Sequence, residues 1–88
     1  MSSLDIQFHE LPHSKPIRQF IKKSLSKLFQ EPSTSVRIEF FRAQVEPMVE
    51  CQVEVKRGGQ SWRYSEFGKG IHQTFLKCLK HVMAKTVS

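Results

Sequence analysis

The sequence predicts an α+β fold in the order β-α-β-β-β-α, a four-stranded sheet with both helices on one face. Three observations lead there. Four runs alternate apolar with polar residues at the period of a half-buried strand, and two runs place apolar residues at the three-and-four spacing of a helix. A sheet with one apolar face then requires both helices on that same face. At 88 residues the chain is long enough for one core and too short for two, and its seven Phe, one Trp and one Tyr argue against disorder.

The first strand is read from Leu4, Ile6 and Phe8 alternating with Asp5, Gln7 and His9. Leu11-Pro12-His13 breaks the chain, Ser14 stands as an N-cap, and Pro16 is tolerated in the first helical turn, where its missing N–H has no partner to lose. The first helix, Ser14 to Gln30, carries Ile17, Phe20, Ile21, Leu25 and Leu28 on one face, and Pro32 ends it. Val36, Ile38 and Phe40 alternate with Arg37, Glu39 and Phe41 in a second strand, about Ser35 to Arg42, and Gln44 to Pro47 reads as a loop. Val49, Cys51, Val53 and Val55 make the clearest strand, and Gly58-Gly59 after it supplies the positive φ angles of a tight hairpin. A two-residue turn sets Val55 opposite Trp62 and Val53 opposite Tyr64, so turn and burial specify one register. Gly68 to Gly70 opens the second helix, Lys69 to about Lys85, with Ile71, Phe75, Cys78, Leu79, Val82 and Met83 at helical spacing.

The net charge of +6 is unevenly placed. The first helix holds Lys15, Arg18, Lys22, Lys23 and Lys27 and no acid; the second holds Lys69, Lys77, Lys80 and Lys85, with His72 and His81, and again no acid. The rest of the chain is net acidic. Helices tuned only for solubility usually mix Glu with Lys, because like charges one turn apart repel. Two acid-free helices on the same side of a sheet make one positive surface, a footprint for a phosphate backbone. The open sheet face offers Glu50, Gln52, Glu54, Lys56, Ser61, Arg63 and Ser65 with Phe41 as its only aromatic, which disfavours base stacking there and favours structured RNA read by shape on the helical side.

Nothing in the sequence composes a catalytic, cofactor or metal site. Gly68-Lys69-Gly70 lacks the earlier glycine and the following Ser or Thr of a phosphate loop, and Gln73 replaces the third glycine of a dinucleotide fingerprint. His9 and His13 are split by Pro12, and Cys51 and Cys78 sit in apolar stripes as buried reduced thiols. Glu50 and Glu54 read as solvated carboxylates, partnered by cross-strand Arg63. The start of the chain has no basic n-region, and no apolar stretch is long enough to span a bilayer, so the expectation is a cytoplasmic protein with no membrane partner.

Ile17-Arg18-Gln19-Phe20-Ile21 with Lys27-Leu28, Trp62-Arg63 with Glu66, and Ile71 with Phe75 together resemble the ribosome hibernation factors, the short hibernation-promoting and ribosome-associated inhibitor family. The resemblance covers Leu4 to Lys85. It implies a fold akin to double-stranded RNA-binding domains, no enzymatic activity, and one ribosome-binding domain over residues 1–88 that occupies the messenger and transfer RNA path of the small ribosomal subunit. The expected partners are the small subunit and its ribosomal RNA. The expected contacts are Arg18, Lys22, Lys23, Lys27, Lys77, Lys80, His81 and Lys85. Gly70 and Leu76 stand where that family usually has Asp, His72 where it has Tyr, and Ala84 where it often has Arg. The sequence stops at Ser88, before the family's basic tail and any dimerising domain, hence the expectation of a monomer. Two other readings are a double-stranded RNA-binding module off the ribosome and a domain docking an acidic protein.

Overall fold

The computed structural model describes residues 3 to 45 and 48 to 87, the side chains of 85 to 87 excepted. Its elements follow the expected order: β1 (Ser3–His9), α1 (Lys15–Leu28), β2 (Thr34–Arg42), β3 (Val49–Arg57), β4 (Gln60–Gly68) and α2 (Ile71–Val87). The sheet runs β1-β2-β3-β4. β1 is parallel to β2, which requires the crossover that α1 supplies, and the other pairs are antiparallel.

The pairing turns the sequence alternation into apolar rows that cross all four strands. Leu4, Val36, Val55 and Trp62 form one row, and Ile6, Ile38, Val53 and Tyr64 the next. Phe8, Phe40 and Cys51 continue into a third row that ends on Glu66. α2 lies across β3 and β4 while α1 covers the β1 side, so Ile21, Leu25, Phe29, Phe75, Cys78 and Val82 close the core over these rows. Full burial of side chains such as Phe40, Ile38 and Phe75 is worth roughly 1.5–3 kcal/mol each.

Local chemistry sets the element ends. Ser14 Oγ accepts from the Ile17 N–H at 3.3 Å, capping α1, and Pro16 follows in the first turn. α1 ends at Leu28, short of Gln30, because the chain turns at Phe29 to bury that ring; the sequence reading had left Phe29 out of the core. The hairpin has the expected register, with Gly58-Gly59 as its turn. Only Gly58 has a positive φ, +59°, so the turn needs glycine at its first central position alone, as in the type II′ geometry that suits strand twist. Lys69 precedes α2, its backbone N–H held by Gln73 Oε1 at 2.9 Å. The first part of the Gln44 to Pro47 loop is described; Glu46 and Pro47 lie outside the described residues.

Candidate nucleic-acid interface

Four cations of the strands lie against acids. Arg37 lies 3.8 Å from both Asp5 and Glu39, Lys56 lies 3.8 Å from Glu54, and Arg57 lies 3.3 Å from Glu31. Arg63 Nε donates to Glu54 at 3.0 Å, as the cross-strand spacing led us to expect, and this bond first of all holds the Glu54 carboxyl below its ordinary range. The helices differ. Lys15, Arg18, Lys22, Lys23 and Lys27 on α1 and Lys80 on α2 are all exposed, and none has a carboxylate partner among the described residues. Most of the charge without a carboxylate partner among the described residues is therefore helical, with Lys69 just before α2 adding to it.

α2 spreads its expected contacts over two flanks. Lys77 Nζ donates to the Phe67 carbonyl at 2.9 Å, and His81 Nε2 lies 2.6 Å from Glu66 Oε2. The His81 hydrogen bond, with Lys77 nearby, holds the Glu66 carboxyl below its ordinary value. Both side chains thus lean towards β4, and Lys80 projects from the outer side. Lys85 lies in α2 with its side chain among those not described.

α1 and α2 meet through aromatic rings. Phe20 stacks on His72 with ring centroids 5.1 Å apart and meets the buried Phe75 edge-on at 5.8 Å. Phe20 and Met83, which the helical spacing assigned to the core, are instead 38% and 45% exposed, because they stand on the helix flanks that face each other above the core. On the opposite side of the sheet, Phe41 is joined by a second aromatic, Phe67, contrary to the sequence reading. The two rings flank Glu50 in one cross-strand row, and the His9 ring stacks on Phe41 at 4.6 Å. Phe67 was missed because the last strand was followed only as far as Ser65 on that face.

The other chemical candidates resolve into structural roles. The His13 ring stacks on Phe8 at 4.0 Å, on the helix side of β1, while His9 is on the open side beside Glu39. Their side chains occupy opposite faces and do not converge. Cys51 and Cys78 are both buried, and the Cys78 thiol donates to the Cys51 carbonyl at 3.3 Å. The hydrogen bond with Cys78, together with burial, pushes the Cys51 thiol up and away from the thiolate form a nucleophile needs. No helix of the described residues is long and apolar enough to cross a membrane.

No family model and no curated protein matches the sequence. Solved structures do match the fold. A ribosomal subunit interface protein from Coxiella burnetii superposes with a TM-score of 0.80 at 11% identity, covering 97% of this chain and 93% of that one. The N-terminal domain of Thermus thermophilus Protein Y superposes with a TM-score of 0.78 at 12% identity, covering 98% of this chain and 96% of that one. This chain has their fold. The likeness is one of fold, and it extends over nearly the whole chain.

Proposed function

We infer that the chain is a non-enzymatic, cytoplasmic, RNA-binding protein that attaches to the small ribosomal subunit and keeps ribosomes idle. The reading rests on one observation above the others: Lys15, Arg18, Lys22, Lys23, Lys27 and Lys80 on the helices are exposed with no acid partner among the described residues, while Arg37, Lys56, Arg57 and Arg63 lie against carboxylates. A surface of this kind gains affinity for a phosphate backbone by releasing condensed counterions. The fold shared with a ribosomal subunit interface protein favours ribosomal RNA as the polyanion. In this reading Arg18, Lys22, Lys23, Lys27 and Lys80 contact phosphates directly, and Lys77, His81 and Lys85 extend the field along α2. The helical face then occupies the path of messenger and transfer RNA.

Co-sedimentation tests this. Mixed with purified ribosomal particles on a sucrose gradient, the protein is expected in the small-subunit fractions at low salt and at the top of the gradient at high salt. Recovery at the top under all conditions, with retained affinity for free duplex RNA, would favour an RNA-binding module off the ribosome.

A further inference from the structure

We propose that the seam between α1 and α2 is a stacking site for an unpaired nucleobase of the bound RNA, with Phe20 and His72 as its platform. The proposal deepens the RNA-binding reading and rests on it. A surface that reads only duplex shape through phosphates has no use for apolar groups at its centre, and large apolar side chains left exposed together mark a contact surface. Here Phe20 is 38% exposed, Leu76 37% and Met83 45%. They are not scattered. His72, Leu76, Leu79 and Met83 recur at the three-and-four spacing of one α2 flank, and the contact of His72 with Phe20 shows that this flank looks towards α1.

The rings are already arranged for stacking. Phe20 is anchored edge-on against the buried ring of Phe75, with an interplanar angle of 83°, and its face is shared with His72 at 27°. An offset pair of this kind presents a π surface that a purine or pyrimidine can extend. Leu76 follows His72 by one turn and offers an apolar edge beside it.

The surrounding charge chooses the occupant. Around α1, Ser24 and Lys27 share the flank of Phe20, with Lys23 one turn from the ring on its outer side; around α2, Lys80 follows Leu76 by one turn. One turn is about 5.4 Å, within reach of an extended lysine, so a base on the platform would have its own and adjacent phosphates among these cations. Neither helix carries a carboxylate to oppose them. A planar group joined to a polyanionic backbone matches both features. An acidic peptide would match the cations but makes no particular use of two stacked rings.

The test compares two RNA hairpins that differ by one bulged 2-aminopurine, binding being followed by anisotropy and by the fluorescence of that base. Purified small subunits are titrated in parallel. The fully paired hairpin is expected to bind about tenfold more weakly than the bulged one, in line with the contribution of one stacked base, and the 2-aminopurine is expected to be quenched on binding. Phe20→Leu with His72→Gln, which removes both rings while keeping one apolar and one polar side chain at exposed positions, should abolish the preference and the quenching while leaving affinity for the paired hairpin unchanged; Phe20→Tyr should retain both. Equal affinity for the two hairpins with unchanged fluorescence overturns the stacking site, as does a preference that survives the double variant. Binding to small subunits is a separate readout: its absence in the wild-type protein would overturn the ribosomal reading whatever the hairpins show.

Discussion

At Gly68 a Cβ would stand 2.5 Å from Thr74 Oγ1 and 3.2 Å from the Thr74 backbone N and Cα, so the last residue of β4 and the first turn of α2 approach too closely for any side chain. The hydroxyl of Thr74 can rotate away; the backbone of α2 cannot without lifting from the sheet. Gly68→Ala is therefore expected to destabilise the protein by about 1–3 kcal/mol, the usual range for overpacking, read as a lower urea midpoint at unchanged slope. Glu66 gives a second residue-level expectation. Its carboxyl ends the third apolar row and is held below its ordinary value first by the His81 hydrogen bond. A depressed carboxylate contributes stability that is fully present above the unfolded pKa and is lost as pH falls through the folded one. The stability advantage of the wild type over Glu66→Gln should thus shrink on acidification through the carboxylate range, and the Glu66 resonance in an NMR titration should have its midpoint below that of an unperturbed glutamate. A midpoint at the ordinary value would mean that the Glu66–His81 contact is not maintained in solution.

Helices and strands differed in how much of them could be read from residues alone. The hairpin was legible because two independent constraints agree: a Gly-Gly turn fixes register to the residue, and Val53 with Tyr64 and Val55 with Trp62 fix it again by burial. The cap at Ser14 was legible for a similar reason, since cap, Pro16 and apolar period coincide. The seam was not. Helical spacing gives the centre of an apolar stripe, Ile21 and Leu25, but Phe20 lies on its margin, and only the placement of a second helix decides whether a marginal residue is covered. Likewise, acid-free helices and the Glu54–Arg63 pair were visible in sequence, whereas the pairing of Arg37 with Asp5 and of Arg57 with Glu31, distant in the chain, needed the fold. That asymmetry yields a charge-matched comparison. Lys23→Glu or Lys80→Glu should weaken RNA binding and lower the salt slope by about 1 through loss of a phosphate contact, while Lys56→Glu, equal in net charge, should leave the slope unchanged. Equal effects from all three would mean that net charge alone governs binding.

Across the whole molecule the charge is polarised: the two acid-free helices lie on one side of a sheet in which Arg37, Lys56 and Arg63 are paired with Asp5, Glu39 and Glu54, and the sum is a net +6. Such a dipolar particle is steered so that its helical side meets a polyanion first, and the steering weakens with ionic strength. Among the described residues, six exposed helical cations have neither an ion-pair nor a hydrogen-bond partner for the side chain, Lys15, Arg18, Lys22, Lys23, Lys27 and Lys80, and they set the expected scale. If each neutralises one phosphate, log affinity falls against log salt with a slope of about −4 to −5. The proposed competition for the messenger and transfer RNA path has a consequence for translation. Added to an in vitro translation reaction before initiation, the protein is expected to lower output in proportion to its occupancy of small subunits. Added after initiation complexes have formed, it should inhibit less, because messenger and initiator transfer RNA then hold the surface that the helices need. The order of addition matters only if the site is shared; inhibition by sequestration of free messenger RNA would instead be relieved by excess messenger and would ignore order. Undiminished translation with the small subunits saturated would mean that the protein binds outside the path. The Lys23→Glu variant links the scales, since its loss of inhibition should track its loss of small-subunit binding point for point.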